Sequence, residues 1–210
     1  MPIYNGIEFI HESVESIKNQ TYANWELIIG INGHPKNSEV FLKAKQYEND
    51  NIKIIDMVNI KGKSNALNNM IDYCKYDWIA LLDVDDIWYK TKLQSQIQYM
   101  SEYDVIGTSC EYFGKLDGIV PIPTKDISDY NFLIGNPMIN SSSLIKKELC
   151  RWDPKYDGVE DYNLWLQLWK NKTKFYNVDS VEVYHRIHDD SCYNSNGNDN
   201  MVELLINKYK

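Results

Sequence analysis

The sequence predicts an α/β protein: a parallel sheet with helices on both faces, in one domain over residues 1–210 with two halves, 1–102 and 103–210. Three observations carry this. Strand-like and helix-like apolar patterns alternate up to about residue 102, as they do in βαβ units. One strand-like stretch, "DWIALLD" (77–83), has an unbroken apolar middle, as expected of a strand covered on both faces. A chain of 210 residues, 43% hydrophobic and 25% charged, suits a single soluble core.

In chain order, "MPIYNG" reads as a loop from its Pro, Asn and Gly. Ile7, Ile10, Val14 and Ile17 then repeat at helical spacing. "WELIIGI" (25–31) is a strand ending in the turn "NGHPKNS", and a helix follows over about 38–48. "IKIIDM" (52–57) is a second strand. "KSNALNNMIDYC" (63–74) is a helix with Ala66, Leu67, Met70 and Ile71 on one face. The third strand, 77–83, leads through a carboxylate cluster into the helix "TKLQSQIQYM", with Leu93, Ile97 and Met100. The second half is less regular. It contains strand and turn at 104–114, a short helix at 127–135 and a strand at 138–145. A helix at 158–171 has a broad face of Leu164, Trp165, Leu168 and Trp169. An alternating strand at 181–188 and a last helix near 200–209 complete the chain.

The formal net charge of −8 argues against a nucleic-acid partner, which calls for a basic face. It suits a protein that meets anionic ligands through a metal ion. Cys74, Cys110, Cys150 and Cys192 are widely spaced without a CxxC pair. That argues against zinc or a disulfide scaffold, and for free thiols in a reducing cytosol. No secretory signal and no apolar run of bilayer length occurs. The expected location is therefore cytoplasmic, with peripheral membrane attachment allowed; the oligomeric state is left open.

Three constellations carry chemistry. In "ALLDVDDIW" (80–88), Asp83, Asp85 and Asp86 crowd the end of the buried strand. Ligands of open α/β sheets bind at such strand ends. Carboxylates repel one another, and Mn²⁺ or Mg²⁺ would remove the repulsion and leave coordination positions for phosphate oxygens. In "GVEDYNLW", Glu160 and Asp161 open a helix. They complement its dipole or supply a carboxylate base. In "YHRIHDDS", His185 and His188 are three apart. On an alternating strand they face opposite sides, so only one faces the site. Arg186 shares the face of His188 and could form a phosphate-binding edge.

Taken together and in order, these blocks resemble an inverting family-2 glycosyltransferase of GT-A fold. "MPIYNG" resembles the family's nucleotide-binding opening, and "QTYANWELIIGINGHPKNS" its "QTY…E.IIVDDGS" segment. "NIKGKSNALN", "LLDVDDIWYKTKLQSQ", "GNPMINSSSLIKK", "EDYNLWLQL" and "YHRIHDDS" follow in family order over nearly the whole chain. The resemblance implies a Rossmann-like, mainly parallel central sheet. Residues 1–102 would bind the nucleotide-diphosphate sugar, and 103–210 a glycan, lipid-linked or other hydroxyl acceptor. It implies Asp161 as catalytic base. Asp85 would be a direct metal ligand, Asp83 a ligand directly or through water, and His188 the third protein ligand. Pro2, Tyr4, Asn5, Asn32, Lys63, Asp83, Asp86, Glu160 and Arg186 would bind substrate.

The chain departs from the pattern in three places. Met1 directly precedes Pro2, so the first strand is expected to be shortened or missing. "INGH" (31–34) replaces "DDGS", so the base preference does not transfer. Leu67 stands where many relatives carry Arg. Two other readings compete. A nucleotidyltransferase would show a glycine-rich basic loop near its start, which "MPIYNG" is not. A non-catalytic sugar- or partner-binding module on the same fold would have no need of both Asp85 and Asp161.

Overall fold

A computed structural model describes residues 1–189 and 198–210. The first half follows the predicted alternation. β1 (Pro2–Ile3) leads through a 3-10 turn at Ile7–Phe9 into α1 (Ile10–Lys18). Then come β2 (Leu27–Asn32), α2 (Glu39–Lys45), β3 (Ile52–Met57) and α3 (Lys63–Ile71). The three strands form a parallel sheet in the order β1-β2-β3. Every residue of β2 is buried, and its alternation sorts them. Leu27, Ile29 and Ile31 pack with Ile10 and Val14 of α1 and with Phe41 and Ala44 of α2. Ile28 packs with Met57 and with Ala66 and Met70 of α3. Helices therefore cover both faces. Gly30 has no room for a side chain, since a Cβ there would lie 2.2 Å from Met57 Cε and 2.6 Å from Met70 Sδ.

The second sheet departs from the expectation of one mainly parallel sheet. It comprises β4 (Trp78–Ala80), β5 (Ile87–Trp88), β6 (Val105–Gly114), β7 (Gly118–Ile119), β8 (Lys125–Asp126), β9 (Leu144–Lys146) and β10 (Phe175–Ile187). Its order is β4-β9-β6-β10-β5, with β7 on β6 and β8 on β10. Only β6 and β10 run parallel; the other pairs are antiparallel. The remaining helices are α4 (Lys92–Ile97), α5 (Glu160–Lys170) and α6 (Asn198–Tyr209).

β1 is two residues long, and no neighbour is shared by β2 and β4 along Trp78–Ala80. A cavity of about 360 Å³ lies there instead, lined by Met1, Leu27, Ile28, Trp78, Ala80 and Met70 among others. The Met1 amino group donates to Ile28 O at 3.1 Å, and burial pulls its pKa down to about 6. None of the carboxylates at 83–86 or 160–161 lines this cavity.

Two predicted strands are shorter than expected. β4 stops at Ala80; Leu81 N–H still donates to Ser143 O at 3.1 Å, and the chain then turns into the carboxylates. Of 138–145, only the end is strand. Asn140–Ser142 is a 3-10 turn in which the Ser142 and Ser143 hydroxyls donate to Ile139 O and Asn140 O, a local competition that serine readily wins against a ladder. The main core of the second half surrounds α5. Trp165 and Leu166 are fully buried, and Phe132 stacks on Trp169 at 5.6 Å while meeting Phe175 edge-on at 4.8 Å.

Cys74, Cys110 and Cys150 are free thiols; Cys192, Asp190 and Ser191 lie outside the described residues. Among the described residues no helix is long and apolar enough to cross a membrane.

Candidate active site

The turn after β4 is held from several directions. Asp83 N–H donates to Ser141 Oγ at 3.1 Å, and Asn140 Nδ2 donates to Asp83 Oδ2 at 3.0 Å. Trp88 Nε1 donates to Ser141 O at 2.7 Å and closes the turn against the 3-10 segment. The other oxygen of Asp83 faces Lys63 Nζ at 2.8 Å. Burial opposes the charge on Asp83, but Lys63 and Asn140 outweigh it and hold the carboxyl below its ordinary range.

Lys63 is the hinge of the site. From the first residue of α3 it reaches Asp83 on one side and Glu160 Oε1 at 3.2 Å on the other. Burial disfavours its charge, yet Asp83 and Glu160 hold its pKa well above the lysine range. Glu160 is buried and also accepts Gly158 N–H at 2.7 Å. Asp161, the next residue of α5, accepts Tyr162 N–H at 2.7 Å and lies 3.4 Å from Asn136 Nδ2. Burial, then the neighbouring Glu160, push its carboxyl up to about 6, with Lys63 partly offsetting them. Asp161 is thus a carboxylate at neutral pH that takes a proton more readily than an ordinary Asp, as a general base requires.

Asp85 and Asp86 diverge from Asp83. Asp85 Oδ2 meets His188 Nε2 at 3.0 Å. Burial, then Asp86 and Asp83, raise the Asp85 pKa, the crowding that a bound cation relieves. Asp86 is fully buried and faces His185 Nδ1 at 3.0 Å, while Arg186 N–H donates to it at 2.9 Å. The expectation that only one histidine faces the carboxylates is therefore corrected: both do, on adjacent residues of the block. β10 ends at Ile187, so strand alternation no longer sets the direction of His188.

Arg186 lies beside the same turn. Its Nε donates to Asp85 O at 2.9 Å and its Nη2 to Glu12 Oε2 at 2.9 Å. Its guanidinium sits over Phe9 and Phe113, 4.5 and 4.3 Å from the ring centroids. It braces the acidic turn against α1.

The remaining expected residues lie at the ends of β1 and β2. Pro2 is in β1, Tyr4 and Asn5 are exposed, and Asn32 is buried at the end of β2. His34 Nε2 donates to Tyr4 O at 2.6 Å, and its ring stands 5.4 Å from the Tyr4 ring.

The residues fit a divalent cation in chemistry: two carboxylates and an imidazole offer hard oxygen and nitrogen donors. Asp85 and His188 form the pair best placed to hold one, because both oxygens of Asp83 are engaged by Lys63 and Asn140. Among the described residues no group of three such side chains is arranged around a common point. Asn140 and Asn136 were missed in the sequence, and His185 was read as facing away from the site. The only signal for the first two was their place in "GNPMINSSS", before the strand edge.

The sequence model described as "Glycosyl transferase family 2" matches residues 1–151. The Escherichia coli UDP-Glc:alpha-D-GlcNAc-diphosphoundecaprenol beta-1,3-glucosyltransferase WfgD is 30% identical over 182 residues, covering 81% of this chain and 68% of that protein. The E. coli enzyme WfaP, which carries the same activity name, is 30% identical over 197 residues, 88% of this chain and 74% of that one. Residues 1–349 of Staphylococcus aureus TarS in complex with UDP-GlcNAc superpose with a TM-score of 0.76 at 14% identity, over 99% of this chain and 64% of that one. The mannosyltransferase PcManGT of Pyrobaculum calidifontis, solved with GDP-Man and Mn²⁺, gives 0.67 at 13% identity over 91% and 57%. At such identities the two structures establish a shared GT-A-like fold.

Proposed function

The chain belongs to glycosyl transferase family 2, and from that premise we propose that it moves a sugar from a UDP-linked donor to a hydroxyl of a lipid-linked acceptor, with inversion and with a divalent cation. The supporting observation is the position of Lys63. It touches both Asp83 and Glu160, so the acidic turn after β4 and the acidic start of α5 form one site. The activities named for WfgD and WfaP support the choice of donor and acceptor class.

In this reading Asp161 removes the proton from the acceptor hydroxyl. The freed oxygen pair forms the new bond at the anomeric carbon as the bond from that carbon to the diphosphate breaks. Attack from the face opposite the leaving group inverts the configuration. Glu160, fixed by Lys63 and Gly158 N–H, orients the acceptor, and positioning of this kind contributes as much as basicity. Asp83 meets the donor's ribose side, Asp86 supports the turn, and Pro2, Tyr4, Asn5 and Asn32 line the nucleotide end. Arg186 holds Asp85 in register and presents a cationic edge to phosphate. A divalent cation held by Asp85 and His188, bound there, would neutralise charge on the departing nucleoside diphosphate.

The test is thermal shift and transfer with UDP-sugars, with and without Mn²⁺. A nucleotide at one hundred times its Kd stabilises the native state by about 2.7 kcal/mol. Asp85→Ala is expected to lose the Mn²⁺-dependent part of that shift. Full retention of the shift would refute the metal assignment. Donor binding without transfer or donor hydrolysis would favour a binding module.

A further inference from the structure

The first turn of α3 has no cap of its own. Gly62 stands at the N-cap position without a side chain, and the first turn holds no acidic residue. Helix N-termini leave N–H groups that need an acceptor. Here it comes from far along the chain: Asp157 Oδ1 accepts Ser64 N–H at 2.9 Å. The second oxygen fills the space beside Gly62. A Cβ at that glycine would lie 2.2 Å from Asp157 Oδ2, and its φ of +83° is one that only glycine adopts readily. One turn further along α3, Asn68 Nδ2 donates to Trp152 O at 2.7 Å and Asn68 Oδ1 accepts Trp152 N–H at 3.0 Å.

This clasp sits immediately before the acidic start of α5. Asp157 is followed by Gly158, whose N–H donates to Glu160 Oε2 at 2.7 Å. Lys63, beside Ser64, holds the other oxygen of Glu160 and also Asp83. One helical turn therefore grips the segment 157–160 twice, by a backbone N–H and by a side-chain ammonium. The body of α5 is anchored independently by Trp165 and Leu166 in the core. Without Asp157 the segment 157–161 keeps the Lys63 grip on Glu160 but loses its backbone tie to α3.

We propose that Asp157 is a positioning residue: by capping α3 it sets where Asp161 stands relative to Asp83. The proposal rests on the reading of Asp161 as the base. A displacement of about 1 Å in a reacting group is enough to cost about 10²-fold in rate.

The experiment measures kcat and donor KM for Asp157→Ala, Asp157→Asn and Gly62→Ala, with Tm for each, beside Asp161→Asn. Asp157→Ala is expected to lower kcat by about 10–100-fold while donor KM moves by less than about twofold. Asp157→Asn keeps an oxygen for Ser64 N–H and is expected to restore most of kcat. Gly62→Ala drives a methyl into the carboxylate and is expected to lower kcat similarly. Combined with Asp157→Ala it should add little, since both break one clasp. Wild-type kcat in Asp157→Ala beside an impaired Asp161→Asn overturns the clasp and leaves the base intact. Wild-type transfer in Asp161→Asn overturns the base reading itself. Equal impairment of Asp157→Ala and Asp157→Asn, or a loss of activity matched by a loss of folded protein, overturns the positioning role.

Discussion

Replacing Asp161 by Asn should make the protein more stable and nearly inactive. The carboxyl at this position is pushed up to about 6 by burial and by Glu160. Against an ordinary aspartate near 4, that is about 3 kcal/mol of ionisation cost at neutral pH. The side chain keeps some solvent contact, so about 1–3 kcal/mol is expected in stability. The native chain holds this proton more tightly than the unfolded chain does. Stability is therefore full below about pH 4 for this group, and falls as pH rises through about 6. Asparagine never ionises, and its Oδ1 can still accept the Tyr162 N–H that Asp161 accepts. Asp161→Asn should raise Tm at neutral pH by about 2–10 °C, with the difference shrinking toward pH 4. Loss of a general base costs about 10²–10⁴-fold in rate, so transfer should fall by that factor while donor affinity stays. The wild-type rate should climb with pH through about 6 and level off, and that limb should be absent from the variant. Calorimetry across pH and transfer assays on the same preparation decide the matter. A lower Tm, or a normal transfer rate, would refute the reasoning.

Two further outcomes follow from the side chains around the site. His188→Ala should weaken Mn²⁺-dependent nucleotide binding, because it removes the partner of Asp85. His185→Ala should instead destabilise the fold by about 1–3 kcal/mol, the cost of an under-partnered buried group, since Asp86 is fully buried against it; thermal shift with and without Mn²⁺ separates the two, and the reverse ranking would refute the assignment. Lys92 is fully buried over the Trp88 ring at 4.0 Å, and burial lowers its pKa to about 7. The unfolded chain holds this proton up to the ordinary lysine range, so stability should rise as pH goes from about 7 toward 10. Lys92→Met should raise Tm at pH 7 and lose that advantage toward pH 10, less the cost of leaving Gln96 Oε1 without its donor. A Tm difference that does not depend on pH would refute it.

Much of this was legible in the sequence because it is local. The strand at 52–57 is read from its residues alone, and the helix at 63–74 is seen over Lys63–Ile71. Three carboxylates in four residues behind an apolar strand announce a charged site wherever they fold, because their mutual repulsion needs an answer. Glu160 and Asp161 at a helix start were equally visible. The sheet plan was not. β2 and β4 lie in different sheets and share no neighbouring strand, and a cavity is lined by residues of both.

The partners of the charges also belong to the tertiary structure. Strand alternation predicted one histidine toward the site, but the strand ends before His188, so periodicity had no hold on it. Lys63 meets Asp83 and Glu160, Asn140 meets Asp83, and Asp157 caps α3. Each of these joins residues far apart in the chain. Spacing along a sequence determines which side chains share a strand or helix face, since that follows from backbone geometry of fixed period. Which carboxylate receives a cation, and which keeps its proton to about pH 6, depends on desolvation and on charges brought close by packing. Only the folded chain decides that.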